Sequence, residues 1–264
     1  MHRNLLLSLG LMSTLVGSAT SAQTKGVLGR DNTDFARKLF EQRYTDLAEG
    51  LCKTLTEAGV TGNDQLEVQA LGFELAVARI QRDPDLAGRV PALRKVIEDE
   101  NAFIKANART STADVVRTNL PSVYLELAST LTTMIGLEKD PAKRADLTTL
   151  GQEVFRDGKA GLQERVERFK KQLQNGEGNL EYATRQHMTA LYNLAKMEFQ
   201  SAQLYPEGSP YRTDSFNAAL ALLQEFGFDY DSSLFNYQGI IYQGLCHEGL
   251  GLPDDALIDY QDAI

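Results

Sequence analysis

His247 and Glu248 open a five-residue stretch, HEGLG, that begins like the H-E-x-x-H helix of zinc proteases. In that motif two histidines four residues apart hold the metal and the glutamate acts as general base. Here the fifth residue is Gly251, so the second ligand is missing and no metal is expected. Cys246 precedes His247, but neighbours in sequence point apart on a helix and cannot form a nucleophile–base pair. His2 and His187 are the other histidines. The glycines from Gly244 to Gly251 lack the Gly-Lys-Ser/Thr ending of a phosphate loop, and no G-x-S-x-G nucleophile elbow occurs. Glu98, Asp99 and Glu100, and the pair Asp254 and Asp255, read as solvated charge. The latter two suit the first turn of a helix, where the dipole favours acids. Catalytic residues, metal ligands and cofactors are therefore all expected to be none, and the chain is not expected to be an enzyme.

The elements that carry these residues are helical. The chain has 264 residues, of which 7 are proline, and no tryptophan. Sparse proline permits long helices, because each interior proline costs about 3 kcal/mol. The net charge of −9 comes without a basic block. Nucleic acid is expected not to be a partner, since its recognition needs a cationic face to displace counterions.

The start of the chain reads as a targeting segment. Arg3 precedes the apolar stretch LLLSLGLMSTLVG, and small residues follow to Ala22. This three-part pattern predicts a signal peptide over residues 1–22, cleaved after Ala22, with a linker at 23–30. The alternative is an uncleaved anchor, but the stretch is shorter than the roughly 20 apolar residues of a span. No membrane span is expected after cleavage, and the location is expected to be periplasmic or extracellular.

From residue 31 to 264 apolar residues recur at helical spacing. The first hairpin is predicted over 32–58, with Phe35, Ala36 and Leu39 on one face and Leu47, Ala48, Leu51 and Leu55 on the other helix. Leu66, Ala70, Phe73, Val77 and Ile80 form the next stripe. Pro91 is placed in the first turn of the helix bearing Val90, Leu93, Ile97 and Ile104. A third unit is placed from Pro121, with Val123, Leu127, Leu131 and Met134 inward. A further helix begins around Pro141, and the pattern resumes after Gly158 and Gly161 with Leu162, Val166, Phe169 and Leu173. The segment 181–204 then turns Leu191, Leu194, Ala195 and Phe199 inward, followed by Phe216, Ala219, Leu220 and Leu223. Cys52 and Cys246 are expected to be buried free thiols in the first and last hairpins.

The final hairpin reads YQGIIYQGLCHEGLGLPDDALIDYQDAI. Gly244, Gly251, Ala256, Tyr260 and Ala263 stand at offsets of 0, 7, 12, 16 and 19. Ala36 and Ala48, again twelve apart, repeat the small–small pair in the first hairpin, with Leu39 flanking it. This spacing resembles the tetratricopeptide repeat. There, small residues let paired helices close to about 8–10 Å and larger ones fill the space between hairpins. The YPEGS loop at 205–209 and the G-x-C-x-x-x-L-G run at 244–251 are also similar to large exported bacterial proteins of this repeat type whose function is unknown. The resemblance covers the two ends, about 60 residues, and lapses between 63 and 179.

The expected fold class is all-α: an α-solenoid of antiparallel helical hairpins, with irregular long helices in the middle. The resemblance implies a scaffold for protein or peptide partners. Alternatives are a structural component of a cell-envelope assembly, joined through the charged helix 162–173, and the non-catalytic part of a longer enzyme. The array is expected either to continue beyond Ile264 or to dock its end on another subunit. Eight of the ten tyrosines lie in the final third. Repeat packing and an interface both account for this; for an interface, Asn236, Tyr237, Tyr242 and Gln243 are the candidates.

Overall fold

A computed structural model describes residues 30–264. The predicted signal peptide, and all but the last residue of the predicted linker, lie outside the described residues. The described residues form ten α-helices and no strand. None of these helices is long and apolar enough to cross a membrane. The chain divides into two compact units, one ending at Arg79 and one spanning Ile80–Ile264.

In the first unit, α1 (Arg30–Glu41) and α2 (Thr45–Glu57) form a hairpin, and α3 (Asn63–Gln81) begins after a loop. The α1–α2 turn sets Arg43 at φ 65°, the left-handed region. Ala36, Ala48, Cys52 and Leu55 meet Val68, Leu71 and Leu75 of α3 in one core, with Leu39 and Leu51 packed at its edge. Arg37 pairs with Glu74 at 3.1 Å, linking α1 to α3. Three expectations are corrected. Phe35 and Leu47 are 47% and 61% exposed, because the small Ala36 and Ala48 occupy the line of closest approach. In α3 the buried residues are Val68, Leu71 and Leu75, with Ala70 alone from the expected stripe; Leu66, Phe73, Val77 and Ile80 are half-buried. That helix is apolar on more than one side, so periodicity alone does not choose its face.

In the second unit, α4 (Leu86–Ala106), α5 (Ser111–Leu137), α6 (Pro141–Asn175), α7 (Leu180–Ala202), α8 (Pro210–Asp229), α9 (Leu234–Gly249) and α10 (Pro253–Asp262) each pack on the next. α5 also reaches α7, and α7 reaches α9. The starts are set by side-chain caps: Asp85, Thr110, Asp140, Asn179 and Ser233 each accept from a backbone N–H of the first turn. Pro91 and Pro121 lie inside helices rather than at their starts. The caps at Asp85 and Thr110 lie upstream of them and set the boundary. Gly158 and Gly161 do not interrupt α6, which runs 35 residues to a left-handed Gly176 at φ 67°. Gly158 is instead a contact point with Tyr124 and Met197.

Phe216, Ala219, Leu220 and Leu223 are buried with Ala195, Ala202 and Cys246. The tyrosines of the final third feed this region. Tyr192 sits 5.5 Å from the rings of Phe226 and Phe235 and edge-on to Tyr242 at 6.2 Å. Phe199 joins Phe216 and Tyr242.

Both cysteines are free and buried. Burial pushes the Cys246 thiol up to about 12 and raises that of Cys52 as well. Thiolate is the reactive form. Neither thiol should therefore react with a disulfide reagent in the native protein at pH 8, and both should react after urea unfolding. Stoichiometric labelling of the native chain would contradict this packing.

Candidate functional site

His247 does not look into an open site. Its Nδ1 lies 2.6 Å from Oδ2 of Asp259, twelve residues on, across the α9–α10 hairpin. The neighbouring Glu248 is hydrogen-bonded to Tyr260. Gly244 faces the same ring: a Cβ there would lie 2.4 Å from a Tyr260 ring carbon. Gly251 makes the turn at φ 75°. The HEGLG stretch thus belongs to a clasp between two helices, with Ala256 buried beneath it and Ala263 half-exposed beyond. Among the described residues, no group of three or more His, Cys, Asp or Glu side chains could hold a metal ion.

The candidate interface residues are not gathered on one face. Tyr237 is 56% exposed. Tyr242 is half-buried among Tyr192 and Phe199, with the Lys196 ammonium 5.8 Å from its ring. Asn236 donates to the Asp231 carbonyl at 3.0 Å, bracing the loop before α9. Gln243 is half-buried about two helical turns further on.

His187, on α7, is 2% exposed, and its Nδ1 shares a 2.5 Å hydrogen bond with the Tyr230 hydroxyl. Desolvation lowers its pKa, against the opposing fields of Asp229 and Glu225. The unfolded chain therefore takes up the proton more readily. The stability that depends on a neutral His187 is present above the unfolded value of about 6.5 and is lost as pH falls below it. In urea titrations at pH 8 and pH 5.5, the wild type should lose more stability on acidification than His187→Gln. Parallel losses would refute the assignment.

The candidate site lies elsewhere, along α4, α5 and α6. Two adjoining cavities, of about 220 and about 420 Å³, share Asn101, Tyr124 and Asp157. In the larger one, Ile97, Leu127, Leu150 and Val154 make an apolar floor, with Arg94, Glu98 and Glu153 around it. In the smaller one, Leu120, Pro121 and Gly161 lie between Tyr124 at one end and Arg117, Arg165 and Arg168 at the other. Two contacts fix this direction. Gly158 meets Tyr124, and both Arg165 and Arg168 bond Thr118. α5 and α6 are therefore antiparallel here, and their facing stripes form the two walls.

Arg165 is the unusual member. It is 7% exposed, and its partners are neutral: the Thr118 carbonyl and the Gln186 side-chain oxygen. Its Nε is buried with no hydrogen-bond partner. Burial depresses its pKa to about 10, and the nearby Arg168 adds to the effect. The Thr118 carbonyl lies in the turn that Pro121 disturbs, where a proline ring displaces the carbonyls before it. Arg165 thus serves that turn with its donors while its charge stays unpaired. The two less buried arginines have other contacts. Arg117 pairs with Asp114, and the Arg168 guanidinium lies 4.6 Å from the Phe169 ring.

Sequence reasoning missed this groove, although one signal was present. Arg165 falls on the same inward stripe as Leu162, Val166 and Phe169, where a charge is out of pattern. Compared with known protein families and with characterised proteins, the chain has no matching family model and no matching protein.

Proposed function

We propose that this chain is an exported, non-enzymatic scaffold of tetratricopeptide type that holds segments of other proteins in the α4–α5–α6 groove. The observation that carries the reading is the groove itself, an apolar floor of Ile97, Leu127, Leu150 and Val154 rimmed by charges of both signs. Mostly apolar concavities with a few placed polar groups are where ligands bind. Consecutive packing of helical pairs is the kind of frame on which such surfaces are built. A structural role through 162–173 is less well supported. Leu162, Val166 and Phe169 are already buried within the chain, which leaves that helix only charge to offer a bundle.

A photoreactive phenylalanine derivative in place of Tyr124 tests the scaffold. Irradiated with the exported fraction, it should give discrete adducts. The same group at Lys53, in the other unit and with its side chain 78% exposed, should not. Equal labelling at both positions, or none at Tyr124, would count against the groove.

A further inference from the structure

We infer that the smaller cavity of the groove binds a short zwitterionic peptide, with its carboxylate at the Arg117–Arg165–Arg168 end and its ammonium at the Asp157–Tyr124 end. The inference rests on reading the groove as a ligand site and goes beyond the scaffold: a free peptide, not a segment of a larger protein, fills the smaller cavity.

Charge placement is the first argument. Three guanidinium groups and one carboxylate, Glu164, line one end of a cavity of about 220 Å³, which leaves that end positive. The most buried of them meets only neutral oxygens. A desolvated cation without an anion is costly, and an ion paired inside such a site recovers much of that cost. A planar carboxylate matches the forked donors of arginine, two N–H groups at a time. Phosphate fits less well, because Glu164 already offsets one of the three positive charges at this end and leaves less to balance a second negative charge.

Dimensions are the second argument. Arg117 and Tyr124 lie seven residues apart on α5, about 10 Å at 1.5 Å per residue. Three extended residues of a peptide span about the same length. At the far end stand the carboxylate of Asp157, the Asn101 amide and the Tyr124 hydroxyl. Asn101 and Tyr124 are hydrogen-bonded to each other. Asp157 has an exposed partner, Arg156, at 2.9 Å. Exposed pairs of this kind hold weakly and can yield to a ligand ammonium. Between the poles, Leu120, Pro121 and Gly161 present a surface without charge, suited to a small aliphatic peptide body.

Calorimetry at pH 7 with trialanine, its N-acetyl form and its C-terminal amide tests the inference. Free trialanine should bind, and each capped form should lose at least about tenfold in affinity. Two exposed-residue variants then separate the poles. Arg168→Gln should reduce the preference for a free carboxylate and keep that for a free ammonium. Asp157→Asn should do the reverse. Far-UV dichroism and thermal midpoint confirm that both variants are folded. Equal affinity of free and capped peptides, or no binding up to about 10 mM, overturns the inference. So does loss of both preferences in one variant. Tyr124 adducts with protein segments, combined with no trialanine binding, would overturn this inference alone and leave the scaffold standing.

Discussion

Gly158→Val destabilises the protein by about 3 kcal/mol, the upper part of the range for overpacking a filled core. The reason is a three-helix contact. Gly158 lies in the middle of α6, where α5 and α7 both approach. A Cβ there would stand 2.9 Å from the Tyr124 Cβ and 2.7 Å from the Met197 methyl. The methionine end can swing aside. The Tyr124 Cβ is fixed to its backbone, so α5 itself must move. Valine adds two branches and a stiff χ1 to that clash. Gly136→Ala, on α5, is the control. Nothing lies within 4 Å of its added methyl, and the residue is exposed. It should gain about 0.5–1 kcal/mol from lower backbone entropy in the unfolded chain. Urea midpoints of the two variants should therefore move in opposite directions. A neutral Gly158→Val would mean that α5, α6 and α7 are not in contact at this point.

Phe226→Ala costs about 3–5 kcal/mol, the usual loss for a buried aromatic truncated to alanine. Phe226 is fully buried near the end of α8. Its ring lies 5.5 Å from Tyr192 on α7 and 5.4 Å from Tyr230 just past the end of α8. Tyr230 in turn meets His187. One truncation therefore leaves a cavity bordered by two tyrosines whose hydroxyl groups are engaged elsewhere, Tyr192 with Gln238 at 3.0 Å and Tyr230 with His187. Those bonds hinder collapse into the void. Exposed Phe228, two residues on at 89% accessibility, should tolerate the same change within about 0.5 kcal/mol. Comparable losses at both positions would show that the ring cluster does not organise this end of the unit.

The fold could be read from the sequence where one face of a helix is plainly more apolar than the rest. Phe216, Ala219, Leu220 and Leu223 are such a face, and all four are buried. In α3 the sequence offers two apolar stripes, and only the tertiary partner selects one. Prolines and glycines misled for a related reason. Pro91, Pro121, Gly158 and Gly161 are all unfavourable in helix interiors; at Pro121, Gly158 and Gly161, contacts with neighbouring helices outweigh the local preference. Gly158 would clash if it were anything larger. The groove was hidden because its walls come from three helices, each giving residues about one or two turns apart. No spacing along the chain brings Asn101, Tyr124 and Asp157 together. The tyrosine-rich end is a different case. The aromatic excess is real, but most of those rings pack against other rings of the chain, with Tyr182, Tyr211 and Tyr237 as the exposed members.

The two buried thiols fall one to each compact unit, Cys52 before Arg79 and Cys246 after it. Sulfur can be trapped by alkylation only when its surroundings momentarily part. The labelling rate of each cysteine, resolved by mass, is thus a clock for the breathing of its own unit. Two clocks running at unequal speeds under mild denaturant would rank the units by how readily each comes undone, with no engineered probe and no change to the chain.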